Sequence, residues 1–101
     1  MLRGEIWTYR PVLERPGQSL LRIILSADGF NRDESRVQVM GAHIVDHDPG
    51  GLLSVRVAPH GWVVLPTLEA VIRRRLGERV GAASPDELAA VMAAFRALFD
   101  V

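Results

Sequence analysis

The spacing of apolar and polar residues along the chain marks a series of short extended segments closed by one amphipathic helix. Gly4-Glu5-Ile6-Trp7-Thr8-Tyr9 is rich in aromatic and β-branched types and reads as a strand. Arg10 to Ser19 carries two prolines and a glycine, the composition of a long loop, and loops of that length often carry function. Leu20-Leu21-Arg22-Ile23-Ile24-Leu25-Ser26 is a nearly continuous apolar run that fits a buried strand, and Ala27 to Asn31 breaks it. Val37 to Val45 is a further strand, and Asp46-His47-Asp48-Pro49-Gly50-Gly51 is a turn by composition. Leu53-Ser54-Val55-Arg56-Val57 alternates cleanly, and Pro59-His60-Gly61 turns the chain into Trp62-Val63-Val64-Leu65. The stretch 66–80 reads two ways. Pro66 to Ile72 starts a helix that Arg73-Arg74-Arg75 would end, or it continues as strand into an irregular turn, which is the preferred reading. Ser84-Pro85-Asp86-Glu87 is a capping box with proline at the first helical position. Leu88, Val91, Met92, Phe95, Leu98 and Phe99 then fall on one face, which predicts a helix over about 85–99. Six short strands and one helix predict a small, highly curved antiparallel sheet with the helix packed on it.

At 101 residues the chain is one domain, 1–101. It can bury roughly 60–70% of its unfolded surface, enough to fold without staples. Cysteine is absent, which excludes disulfides, thiolate metal sites and Cys nucleophiles. No run approaches the roughly 18 apolar residues of a membrane span. Met1 to Glu5 has no apolar run after its basic residue, so a cytoplasmic protein without a signal peptide is expected. Twelve basic residues balance twelve acidic ones, against a protein that grips nucleic acid with its whole surface. All twelve bases are arginine, whose planar fork suits phosphate and stacks on bases.

Three features carry candidate chemistry. Arg73-Arg74-Arg75 is the densest basic cluster, read first as a solvated segment and second as a phosphate contact. Arg22 is the one charge between Leu20 and Leu25, and a charge in a buried strand must be paired or face a cleft. His43 lies within a strand between Ala42 and Ile44, either as a satisfied core histidine or as an acid–base group, whereas His47 and His60 lie in turns. The cluster His43, Asp46, His47, Asp48 is better explained by the turn than by a metal. No phosphate loop, nucleophile elbow or dinucleotide fingerprint occurs.

The opening Leu2-Arg3-Gly4-Glu5-Ile6-Trp7 resembles the start of the MazF/PemK (Kid) toxins of bacterial toxin–antitoxin modules. Ile23-Ile24-Leu25-Ser26-Ala27-Asp28 resembles their second strand, and Arg79-Val80-Gly81 with Ser84 to Leu98 their closing strand and helix. Tyr9, Trp62 and Leu76-Gly77-Glu78-Arg79-Val80 also resemble the related CcdB gyrase poisons. The resemblance implies a mainly β fold, an SH3-like antiparallel barrel with a C-terminal helix, and a two-fold homodimer. It implies a metal-independent endoribonuclease without cofactor. Such an enzyme cuts single-stranded RNA to 2′,3′-cyclic phosphate and 5′-hydroxyl ends and is paired with a MazE-like antitoxin.

Where the family has an Arg-Pro on its second strand, this chain has Leu20-Leu21, with Arg22 on the same strand face as position 20. His43 falls at the family's Thr/Ser position. Arg22, as stabiliser of the phosphorane, and His43, as proton shuttle, are therefore the expected catalytic pair. Arg10, Arg15, Ser26 and Trp62 are expected substrate contacts, Trp62 by stacking a base or else as a core residue. The missing Arg-Pro keeps open an inactive, antitoxin-binding member. Gyrase poisoning is the weaker alternative, because Leu98-Phe99-Asp100-Val101 lacks the Trp-Gly-Ile ending of CcdB.

Overall fold

The computed structural model describes residues 1–100. Six strands form one antiparallel sheet: β1 (Glu5–Tyr9), β2 (Leu21–Ile24), β3 (Gln38–Val45), β4 (Ser54–Val57), β5 (Gly61–Ile72) and β6 (Leu76–Ala82), in the order β4-β5-β3-β2-β1-β6. A short helix, α1 (Asp28–Arg32), follows β2, and a longer one, α2 (Pro85–Leu98), ends the chain. The expected curved antiparallel sheet with a C-terminal helix is what forms. Its hydrogen bonding does not close into a barrel, because β4 and β6 remain as edges. The ambiguous stretch 66–80 is extended through Ile72, turns in one 3-10 turn at Arg73–Arg75 and returns as β6.

The two sheet faces bury different cores. Ile6, Ile23, Ala42, Ile44, Val63 and Leu65 pack with Val91 and Ala94 of α2, each fully buried aliphatic contributing about 2 kcal/mol. On the other face Tyr9, Ile24, Val39 and Val71 form a second cluster. Gly61 opens β5 at φ +136°, and a Cβ there would lie 2.0 Å from the Val45 carbonyl oxygen, so only glycine allows β5 to start so close to β3.

The capping box forms as read. Ser84 Oγ accepts from the Glu87 N–H, and Glu87 Oε1 accepts from the Ser84 N–H at 2.8 Å. Glu87 Oε2 also accepts from the Ala58 N–H at 2.7 Å, which ties the helix start to the turn after β4. The bonds from Ser84 and Ala58 hold the Glu87 carboxyl below its usual 4.5. Phe99 departs from the expected helix face. It lies just past the helix end, 60% exposed, with its ring edge-on to Phe95.

The basic cluster also differs from its first reading. Arg73 donates to the Asn31, Asp33 and Arg36 carbonyls, and Arg75 Nη1 to those of Arg10 and Pro11, so two of the three arginines staple loops and only Arg74 is exposed. Ser84→Ala is expected to destabilise the fold by about 1 kcal/mol, which thermal unfolding would register as a fall of about 5 °C.

Candidate active site

Antiparallel pairing sets the site row by row. Trp7, Arg22, His43, Val64 and Ser54 stand opposite one another across five strands, and residues directly opposed in this way share a sheet face. Arg22 and His43 are thus neighbours on the face away from α2. In the next row but one, on the same face, Ile24, Gly41 and Glu69 are aligned. A Cβ on Gly41 would strike the Ile23 carbonyl oxygen at 2.5 Å and Val71 Cγ2 at 3.0 Å, so this row packs too tightly for a side chain there.

Between Val64 and Glu69, β5 runs through Leu65 to Thr67 and Leu68 while β3 advances by Ala42 alone. This wide bulge returns β5 to register with Glu69 on the same face as Arg22. Pro66, which has no N–H to donate, is placed in the irregular stretch, as strand prolines generally are. Thr67 holds the bulge: its Oγ1 accepts from the His43 N–H at 2.9 Å and donates to the Val64 carbonyl at 2.6 Å.

Glu69 joins the two expected residues. Its Oε1 accepts from Arg22 Nε at 2.8 Å and from His43 Nε2 at 2.9 Å. Arg22 is 1% exposed, while Glu69 retains 38% of its side-chain surface. The guanidinium is held further by Nη1, which donates to the Ser19 and Leu21 carbonyls at 2.9 Å, and by the Tyr9 ring 4.7 Å from Cζ. The buried cation thus has an opposite charge, two carbonyls and a π face around it, which is what its burial requires. With a carboxylate as acceptor, His43 carries its proton on Nε2, and Nδ1 keeps the free lone pair when the ring is neutral. Burial, and then the Arg22 charge, hold His43 below its usual 6.5, with Glu69 opposing both. The ring is therefore neutral near pH 7, as a proton acceptor must be.

A cleft of about 310 Å³ opens beside Arg22 and Glu69, lined also by Tyr9, Ala70 and Ile72 and by Pro11, Val12, Leu13, Arg15 and Gln18 of the β1–β2 loop, with His43 behind Glu69 and outside the lining. Of the expected substrate contacts, Arg15 borders this cleft beside Arg22. Arg10 borders a separate depression with Thr8, Glu14 and Arg75. Ser26 stands apart: its Oγ donates to Asn31 Oδ1 at 2.5 Å and accepts from the Met40 N–H at 3.0 Å, fastening α1 to β3. Trp62 lies outside the cleft, with the Arg56 guanidinium 5.1 Å over its ring.

Sequence reading missed Glu69. Its signal was the one that marked Arg22, since Glu69 is the sole charge from Gly61 to Ile72, but the segment's conformation was open and no face could be assigned to it. The Asp46–His47 pair is fully in solvent, 97% and 74% exposed. Among the described residues, no group of three His, Asp or Glu side chains is placed to hold a metal ion. Glu69→Ala would leave Arg22 without its carboxylate. A loss of about 2 kcal/mol is expected, read by chemical denaturation, with the Arg22→Met, Glu69→Ala double variant recovering part of it.

No protein-family model matches the sequence, and no curated protein matches it either. Solved structures do match in shape. A mycobacterial endoribonuclease in complex with its cognate antitoxin superposes with a TM-score of 0.82 at 18% identity, over 96% of this chain and 92% of that one. An endoribonuclease from a mycobacterial species gives 0.80 at 18% identity, over 96% and 88%. MazF from Deinococcus radiodurans gives 0.74 at 17% identity, over 96% and 93%. The chain has the MazF-type fold.

Proposed function

We propose that this protein is a MazF-type endoribonuclease, the toxin of a toxin–antitoxin pair, which cleaves single-stranded RNA without a metal. The observation that carries this reading is the Arg22–Glu69–His43 group, in which one carboxylate oxygen holds both side chains and Arg22 and Glu69 line an open cleft. Neighbours in shape that are endoribonucleases, one of them bound to its antitoxin, support it. On this reading the chain's partners are RNA, a MazE-like antitoxin and a second copy of itself.

RNA cleavage by transesterification needs a base for the 2′-hydroxyl proton, positive charge on the phosphorane and an acid for the leaving oxygen. His43 Nδ1 takes the proton as the 2′-oxygen attacks phosphorus. Arg22 offers Nη2, the guanidinium nitrogen that makes no hydrogen bond to protein among the described residues, to a non-bridging oxygen. The P–O5′ bond breaks, His43 returns the proton to O5′, and the products are a 2′,3′-cyclic phosphate and a 5′-hydroxyl. Glu69 aims both groups and stabilises the imidazolium that forms between the two proton transfers. Arg15 meets the phosphate or base of an adjoining nucleotide.

Purified protein, incubated with a long unstructured RNA in EDTA, is expected to give discrete cuts with 2′,3′-cyclic phosphate ends. Absence of cleavage by folded protein would favour the antitoxin-binding reading, on which the Leu20-Leu21 replacement of the family's Arg-Pro has removed catalysis. His43→Gln is expected to slow cleavage by about 100-fold or more. The rate should rise with pH through the His43 value, below 6.5, and then level off. Glu69→Gln removes the group that raises that value, so its acid limb should move to lower pH while the maximal rate falls.

A further inference from the structure

Trp62 is the one large aromatic residue on the site's sheet face that the described packing does not use. Tyr9 and Trp7 belong to the second core cluster, whereas Trp62 belongs to neither cluster among the described residues. It is half-buried, and its neighbour Arg56 is exposed. The Arg56 guanidinium covers the indole at 5.1 Å, and the two residues are directly paired across β4 and β5. Val45, Trp62 and Arg56 form the row next but one to His43, Val64 and Ser54, so the indole is rooted about 7 Å along the sheet from the His43 row. From Arg22, two strands away across β3, the indole is rooted about 12 Å off, a span that the sugar and base of a nearby nucleotide cover.

Resting on the ribonuclease reading above, we propose that Trp62 and Arg56 form a base-stacking subsite for a nucleotide next to the cleaved phosphate. The indole supplies a flat apolar face that any base can stack on. Arg56, exposed on the edge strand β4, closes over the other side of the base or turns to its phosphate. Across the sheet β5 lies beyond β3 from β2, so the strand would run from Arg22 past His43 to Trp62.

Binding is measured with an oligonucleotide that spans the mapped cut site and carries a 2′-deoxyribose at the cleaved position, which removes the attacking hydroxyl. Abasic nucleotides are placed singly on either side of the scissile phosphate. Wild-type protein is expected to lose about tenfold in affinity at one of these positions. Trp62→Ala should bind the intact oligonucleotide about tenfold more weakly and show no further loss at that abasic position, while Trp62→Phe retains most of the effect. Arg56→Ala, a change at an exposed side chain, should give a smaller loss at the same position. If wild type and Trp62→Ala respond alike to every abasic nucleotide while wild type still cleaves RNA, the subsite is overturned and the ribonuclease reading survives. If wild type neither cleaves nor binds RNA, both fall. A Trp62→Ala protein that loses self-association and keeps its abasic response would assign the indole to a contact between copies, which also overturns the subsite.

Discussion

A full positive charge inside a β-sheet dictates much of what surrounds it. Arg22 is 1% exposed in a four-residue strand whose other members are aliphatic, and an isolated buried cation is too costly for a domain of this size to carry. Each requirement of that charge is met from a different part of the chain. Carbonyls at the end of the β1–β2 loop take one guanidinium edge, the Tyr9 ring lies beneath it, and Glu69 arrives from β5. The bulge between Val64 and Glu69 is the backbone's share, because in unbroken register β5 would carry that carboxylate elsewhere. The arrangement does not rest on stability alone, since a well-packed apolar group would serve stability as well. It is the kind of arrangement expected where a positioned cation has work to do.

Local signals were enough for most of the architecture. The capping box of α2 and the apolar runs of β2 and β3 are properties of short segments, and those elements lie where the pattern put them, within a residue or two. Arg22 and His43 were legible because each interrupts an apolar strand. Other features depend on tertiary structure. Whether 66–72 is helix or strand is decided by its pairing with β3, and until that is known Glu69 has no assignable face. Ser26 is expected at the substrate only through a sequence likeness, and its hydroxyl is occupied in holding α1 to β3. The arginine run looked like a solvated patch, but the carbonyls left free by α1 and by the β1–β2 loop come from far along the chain and turn two of its members inward.

The site is divided between rigid and adjustable parts. Arg22, His43 and Glu69 all stand on paired strands, so their mutual geometry is as firm as the sheet. The outer wall of the cleft is a loop held at its base by Arg75 and within itself by Gln18, whose Oε1 accepts from the Arg15 N–H at 3.1 Å. Val12 and Leu13 at its tip are exposed, 71% and 62%. On the proposed reading the chemistry is built into the sheet, and the surface that would meet the rest of a ligand is built from a segment whose sequence can change without disturbing the row beneath it.

An open sheet has two sides on which a stray strand can add. Both edges of this one carry charge along their exposed length, Arg56 on β4 and Glu78 and Arg79 on β6. β4 is four residues long, and β6 is interrupted in its pairing with β1 by two irregularities. Short, bent and charged edges are poor templates for further strands. A molecule whose sheet does not close thereby limits edge-to-edge aggregation, including during folding, when those edges are first exposed.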